Sequence, residues 1–435
     1  MAVPLWLHRV DLLVGPGEHH QRIDVLLDQR GQLEAWGAGV AGRVSALGLQ
    51  PTAAEGWLLA PTLVDPHSVL ERPWSATQEN LHSLAAAAAA GGYGTVALLP
   101  WASPWRDRTE RLQGLHWPEP LRLRAWGSFS RDGADQDLAP HRDQIEAGAV
   151  GLACGDALPP LALLERGLLL AEMAERPVLV APRHAALTAA GCVREGVEAL
   201  RAGWPLDPLA SETLPLHTLL ALAAAQATRR LVLMNLSTAA AVGALEAHPS
   251  PPAATVSWWH LLADAANLPP TAEGWRVVPS LGGPADRQAL IGAVRAGLIT
   301  AVSVHHLALD PEEQWLPLDQ RRAGLAGHGA PHGLVLPCLW QELVVRQGWN
   351  PLELWQALCW GPAALLGEQP ERLEVGSRRW LLFDPAAAAA WDPASSLSRA
   401  ANQPLRGQVI RGQIRACGLT EPQHWCLGGA GCPSG

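Results

Sequence analysis

The stretch PTLVDPHSVLERPWS, residues 61–75, runs apolar up to Asp65-Pro66-His67 and so ends a strand-like segment on an imidazole with a carboxylate two residues before it. That combination suits the rim of a metal site, which needs further ligands from elsewhere in the chain. Other strand-like runs end on Cys154, His260 and the pair His305-His306, while Ala181 and Asn235 stand at two more such ends. A single histidine at a strand end is commonly a hydrogen-bonded core residue. Several on separate strands, aimed at one axis, would form a ligand set. The chain contains no lysine, since all 32 residues of its Lys+Arg total are arginine. Schiff-base, P-loop and carboxylated-lysine chemistry are therefore excluded. Seven cysteines occur without a CxxC pair, which indicates neither a disulfide framework nor a zinc ribbon and fits a reducing cytoplasm.

The elements that would position these groups follow from hydrophobic patterning. The first 60 residues read as short strands divided by turn signals such as Arg30-Gly31. Eight apolar runs then alternate with Ala/Leu-rich helical stretches, at 58–67, 94–100, 122–130, 148–154, 176–182, 229–237, 254–262 and 298–306. Eight such βα units predict a closed parallel barrel, whose chemistry belongs at the C-terminal ends of its strands. Helices are expected over 79–92, stopped by Gly91-Gly92, over 284–297, and at 333–348 and 351–366. Strand character returns at 372–385 and 403–418. The expected organisation is a small β-domain from 1–57 and 368–418, a barrel over 58–367, and a flexible tail at 419–435.

Of 435 residues, 48% are hydrophobic and 17% charged, and the formal charge of -9 argues against a nucleic-acid surface. His8, Arg9 and Asp11 interrupt the apolar start, so no signal peptide is expected, and no apolar segment reads as a membrane span. The 20 tryptophans include the groups Trp101/Trp105, Trp258/Trp259 and Trp349/Trp355/Trp360, which are candidates for an interface because Trp is enriched in binding hot spots.

PTLVDPHSVLERP resembles the PGLIDPHVHLREPG signature of dihydroorotases, zinc enzymes of the amidohydrolase superfamily that act in pyrimidine biosynthesis. The resemblance continues through GGYGTVALLPWASP, IEAGAVGL, DRQALIGAVRAGLI, VGSRRWLLFDP and QPLRGQVIRG, and spans about residues 1–418. It implies a (β/α)8 TIM-type barrel with a β-sandwich domain made from both chain termini.

The family's functional positions are mostly replaced. The first His of its H-x-H motif matches His67, but the second falls on Val69, and the substrate Arg falls on Glu71, with Arg72 beside it. The substrate Asn falls on Ser103, the bridging carboxylate on Cys154, two ligand histidines on Ala181 and Asn235, and the catalytic Asp on His305. A binuclear zinc site needs several imidazoles and a bridging carboxylate, so no catalytic residue and no metal are expected. The resemblance then implies an inactive chain, expected to be oligomeric and to act as a scaffold or regulator of aspartate carbamoyltransferase. The alternative is a cyclic amide hydrolase with one zinc ion on a rebuilt set of His67, Cys154 and His305.

Overall fold

The computed structural model describes residues 4–74, 77–115, 117–226, 230–268, 275–317, 320–329 and 333–427. Strands β1 (Leu5–Gly15), β2 (Glu18–Leu27), β3 (Leu33–Trp36), β4 (Pro51–Ala53) and β5 (Leu58–Pro61) come from the N-terminal end of the chain. They share one sheet with β17 (Trp380–Ala390) and β18 (Val409–Cys417), in the order β18-β17-β5-β1-β2-β3 with β4 on β1. The two ends of the chain thus build the small β-sandwich domain together. Its inner face is held by buried Leu7, Val10, Leu12, Val25, Leu27, Trp380 and Leu382, each worth roughly 1.5–3 kcal/mol as a buried aliphatic or more as indole.

One boundary differs from the expectation. The run at 58–67 divides at Thr62: β5 pairs antiparallel with β17, and only β6 (Leu63–Ser68) enters the barrel. Periodicity cannot show that break, because a strand buried on both faces is continuously apolar in either sheet. The tail also differs. The N–H of Cys426 donates to the Arg415 carbonyl at 2.7 Å, and the Trp425 ring packs edge-on against Trp380 at 5.3 Å, so residues 419–427 are docked on the terminal domain. The rest of that expected tail, 428–435, lies outside the described residues. Cys426 is disulfide-bonded, an exception to the reading of the cysteines as unpaired, whereas the other described cysteines are free.

The barrel strands are β6, β7 (Tyr93–Leu98), β8 (Arg122–Ala125) with β9 (Gly127–Ser128), β10 (Leu152–Ala153), β11 (Val178–Val180), β14 (Leu231–Leu233), β15 (Ala253–Ser257) and β16 (Ala301–Ser303), all paired parallel. β8 and β9 count as one strand broken at Trp126. A short parallel ribbon, β12 (Val193–Arg194) and β13 (Leu206–Asp207), is inserted after β11. Side chains alternate between two clusters, as along β11, where Leu179 joins one and Val178 and Val180 the other. The seam between first and last strands is closed by Val69 N–H on the His306 carbonyl (2.7 Å) and His305 N–H on the His67 carbonyl (3.1 Å).

Helices lie where Ala and Leu dominate. Leu81–Ala90 is capped by Asn80, whose side chain accepts the Ser83 N–H at 2.9 Å while Ser83 Oγ accepts the Asn80 N–H at 3.1 Å. It stops at Gly91-Gly92, where Gly92 adopts φ +79 and a Cβ would meet Leu381 at 2.6 Å. Among the described residues no helix is long and apolar enough to cross a membrane.

Two of the three tryptophan groups named as interface candidates are core. Trp258, Trp259, Trp349, Trp355 and Trp360 are at most 5% exposed. Their indoles fill the barrel wall because an aromatic ring buries more area there than any aliphatic residue. Trp101 and Trp105 instead line an open cavity.

Candidate functional site

His67, the penultimate residue of β6, is fully buried, and both of its ring nitrogens have partners. Nδ1 lies 3.1 Å from His305 Nδ1, and Nε2 lies 2.9 Å from the Thr255 hydroxyl. The two imidazoles meet edge to face, 5.1 Å between centroids. The Thr255 hydroxyl also accepts the Asn235 N–H at 2.9 Å, and Ser303 donates to Asn235 Oδ1 at 2.9 Å. Asn235, aligned with a ligand histidine, therefore ties β14, β15 and β16 together.

Val69 and Ala181 join one apolar cluster with Val64, Ala97, Leu179 and Met234, and neither has a lone pair to give. Cys154 is buried in the main core, and burial pushes its thiol well above its usual range, so it stays protonated and is a poor ligand. Of the rebuilt set, His67 and His305 come together. Among the described residues no group of three or more His, Cys, Asp or Glu side chains is placed to hold a metal ion.

Trp101 closes the centre from above. Its indole N–H donates to the Cys154 carbonyl at 2.8 Å, and its ring stands edge-on to His305 at 5.7 Å. Between Trp101, Ala181, Met234, Asn235 and His305 remains a space of about 10 Å³, room for one water at most. The donors are engaged and the volume is filled, so the residues do not fit a pair of zinc ions, and no chemical step is assigned to metal here.

Above Trp101 opens a cavity of about 980 Å³ lined by Trp105, Ser103, Arg72, Asp156, Arg183 and Arg322 among others. Its charges are largely paired internally: Arg183 with Asp156 at 2.8 Å, and Arg322 with both Glu71 and Glu313. Glu71, aligned with a substrate arginine, is thus spent on a neighbouring cation.

The polar centre that sequence reasoning missed lies beside this one, at the barrel seam. Asp65, expected at the rim of a metal site, instead accepts the Val304 N–H at 3.0 Å, the Ser68 hydroxyl and His328 Nε2 at 2.8 Å. Ser68 Oγ accepts the His306 N–H at 2.8 Å. His306 Nδ1 accepts N–H groups of Gly327 and His328, and Nε2 lies 3.1 Å from Glu79, which also accepts the hydroxyls of Ser83 and Ser398. Glu79 and His328 had no signal, because neither ends an apolar run. His260 stands apart from both centres, with Nε2 donating to the Pro279 carbonyl at 3.0 Å.

Burial holds the His67 pKa well below its usual value, with neighbouring His305 adding to the shift, and lowers His260 and His305 to about 4. All three are neutral when folded, while in the unfolded chain they titrate near 6.5. Between about pH 6.5 and 4 the unfolded state binds the additional protons, so stability is complete above that window and falls as pH falls through it. The thermal midpoint is expected to drop already between pH 6.5 and 5, above the carboxylate range. A midpoint constant from pH 7.5 to 5 would contradict the assignment of neutral imidazoles.

The sequence matches no family model. The chain is 32% identical over 398 residues to a probable dihydroorotase-like protein of Synechocystis sp., covering 83% of this chain and 88% of the relative. It is 27% identical over 389 residues to the dihydroorotase of Pelotomaculum thermopropionicum, covering 86% and 88%. Among solved structures it superposes on the dihydropyrimidinase of Brevibacillus agri with a TM-score of 0.73 at 18% identity, over 95% of this chain and 93% of that one. The L-hydantoinase of Arthrobacter aurescens gives 0.73 at 17% identity, over 95% and 94%. The barrel with its terminal β-sandwich is the fold of these neighbours, and the chain belongs to the dihydroorotase-like family.

Proposed function

We propose that this chain is a catalytically inactive dihydroorotase-like protein of cytoplasmic pyrimidine biosynthesis, acting as a structural or regulatory partner of aspartate carbamoyltransferase. The observation that carries inactivity is the state of His67: the one retained ligand position has both ring nitrogens bonded within the protein, beneath Trp101. A water or hydroxide held for attack needs metal or a free base, and neither arrangement is formed there. His305, in place of the family's aspartate, is a base with its Nδ1 already against His67. The partnership rests on the family resemblance together with a chain that keeps the whole barrel and terminal domain while losing the catalytic centre.

Purified protein, with or without added zinc, is expected to interconvert dihydroorotate and carbamoyl-aspartate no faster than buffer. Co-expression with the same organism's aspartate carbamoyltransferase is expected to give a complex that survives gel filtration. About one zinc per chain, with turnover abolished by His67→Ala, would instead favour a mononuclear zinc cyclic amide hydrolase. Two separate peaks at micromolar concentration would remove the partnership.

A further inference from the structure

The cavity of about 980 Å³ at the barrel mouth is lined by polar groups that the protein itself leaves unused. Ser257, the last residue of β15, is 4% exposed and lines the cavity, and its hydroxyl has no hydrogen-bond partner among the described residues. His305 lines the same cavity, with Nδ1 engaged by His67 and Nε2 left open. Arg183 adds a buried Nε–H that has no partner. Such groups carry a desolvation cost until a ligand matches them.

One wall is aromatic. Trp105 packs on Gly133, where φ is +66 and a Cβ would strike three atoms of the indole at once. One face of the ring therefore rests on backbone, and the other is left to the cavity that Trp105 lines, a platform for a planar ring.

The lining holds five carboxylates and four arginines, a formal excess of one negative charge, so the summed charge does not select a ligand. The pairing does. Glu71 and Glu313 are held by Arg322, and Asp156 by Arg183 at 2.8 Å. Asp135 accepts the Ser130 hydroxyl at 2.7 Å, and Asp310 accepts the Glu313 N–H at 2.8 Å. Arg276 donates to the Arg321 carbonyl. Arg72 alone among these charges has no hydrogen-bond or ion-pair partner among the described residues. The open charge is thus a guanidinium, which suits a carboxylate or a phosphate.

We propose that this cavity binds, without converting it, a small organic anion with a planar heterocyclic ring. The ring lies on Trp105 with its polar edge toward Ser257 and His305, and the carboxylate or phosphate meets Arg72. Glu71 and Ser103, aligned with the family's substrate arginine and asparagine, take no part. This rests on the inactive reading above and gives the regulatory role a ligand.

The test is calorimetry on the purified full chain with two probes, orotate for a ring bearing carboxylate and uridine 5′-monophosphate for a ring bearing phosphate. At least one is expected to bind, and the tighter identifies the anionic group. Uridine and inorganic phosphate, which each carry half of the chemistry, are expected to bind more than about 30-fold more weakly. Arg72→Gln is expected to weaken the bound probe about 30-fold and Ser257→Ala about 5-fold. Thermal midpoints should hold, because neither side chain gives up a bond within the protein. Gly155→Trp is expected to abolish binding, since Gly155 lines the cavity and a Cβ there meets no atom within 4 Å. Binding of neither probe at millimolar concentration, wild-type affinity in Arg72→Gln or Gly155→Trp, or uridine binding as tightly as its monophosphate with orotate silent overturns the inference and leaves the inactive reading standing. Turnover of dihydroorotate by the wild-type chain overturns the inactive reading, and with it the claim that the ligand is held unconverted.

Discussion

Asp65→Ala is expected to cost on the order of 3–5 kcal/mol of stability, more than any change at His67, although both side chains lie on the same strand end. The reason is the seam. β6 and β16 close the barrel with few backbone bonds, and Asp65 supplies an acceptor for the Val304 N–H from across the gap. Its second oxygen holds Ser68 and His328, and Ser68 in turn accepts the His306 N–H. Removing the carboxylate leaves Val304 N–H, His328 and the Ser68 hydroxyl buried without it, and each unsatisfied group carries a desolvation penalty of about 1–3 kcal/mol. Asp65→Asn keeps one acceptor oxygen and is expected to lose roughly half as much. The readout is the thermal midpoint, which should fall by about 3–6 °C for Asp65→Ala in a chain of this size. A midpoint within about 1 °C of wild type would show that the seam does not depend on this residue.

The same residue shows how much the sequence could reveal. Asp65 beside His67 has the composition of a metal rim, and nothing in residues 61–75 says that its oxygens point across the seam instead of toward the axis. The barrel itself was legible because apolar runs and Ala-rich helices alternate with a period that local chemistry enforces. The terminal domain was legible because strand character reappears after residue 372. What patterning could not supply was pairing across long separations, such as β5 leaving the barrel for β17, or Ser398 reaching Glu79. Those bonds join residues hundreds of positions apart, and no local signal encodes them.

At the candidate centre, resemblance placed Val69, Ala181 and Asn235 in ligand positions but could not say what fills the space that ligands and metal would take. The structure answers with packing. Val69 and Ala181 sit in an apolar cluster, Asn235 is a hydrogen-bonded tie, and Trp101 spans from Cys154 to His305. Returning histidine to position 69 would push a polar ring into that cluster without partners, so single reversions work against the core rather than restoring a site.

The second large effect is expected at Arg194, in the ribbon inserted after β11. Its guanidinium is buried and lies 3.2 Å from Asp207 and 3.7 Å from Glu212. It donates to the hydroxyls of Ser211 at 2.6 Å and Ser237 at 3.0 Å, and Glu212 accepts the Ser237 N–H at 2.8 Å. One cation thus joins β12 and β13 to the helix Ala210–Ala225 and to the segment following β14. Arg194→Met keeps most of the volume but leaves two buried carboxylates facing each other without a counter-charge, a change expected to cost about 3–5 kcal/mol. An exposed pair gives the contrast. Arg142 and Glu146 sit 2.9 Å apart at helical spacing with both side chains in solvent, and Arg142→Met there is expected to cost no more than about 0.5 kcal/mol. If the loss at Arg194 comes from stranded charge, then adding Asp207→Asn to Arg194→Met should recover part of it, since one of the two unpaired anions is removed. Thermal midpoints of the two single variants and the double decide this. Equal midpoints for Arg194→Met and Arg142→Met would mean the ribbon is held by its backbone pairing alone, and a double variant no better than Arg194→Met would mean that lost packing, not stranded charge, sets the cost.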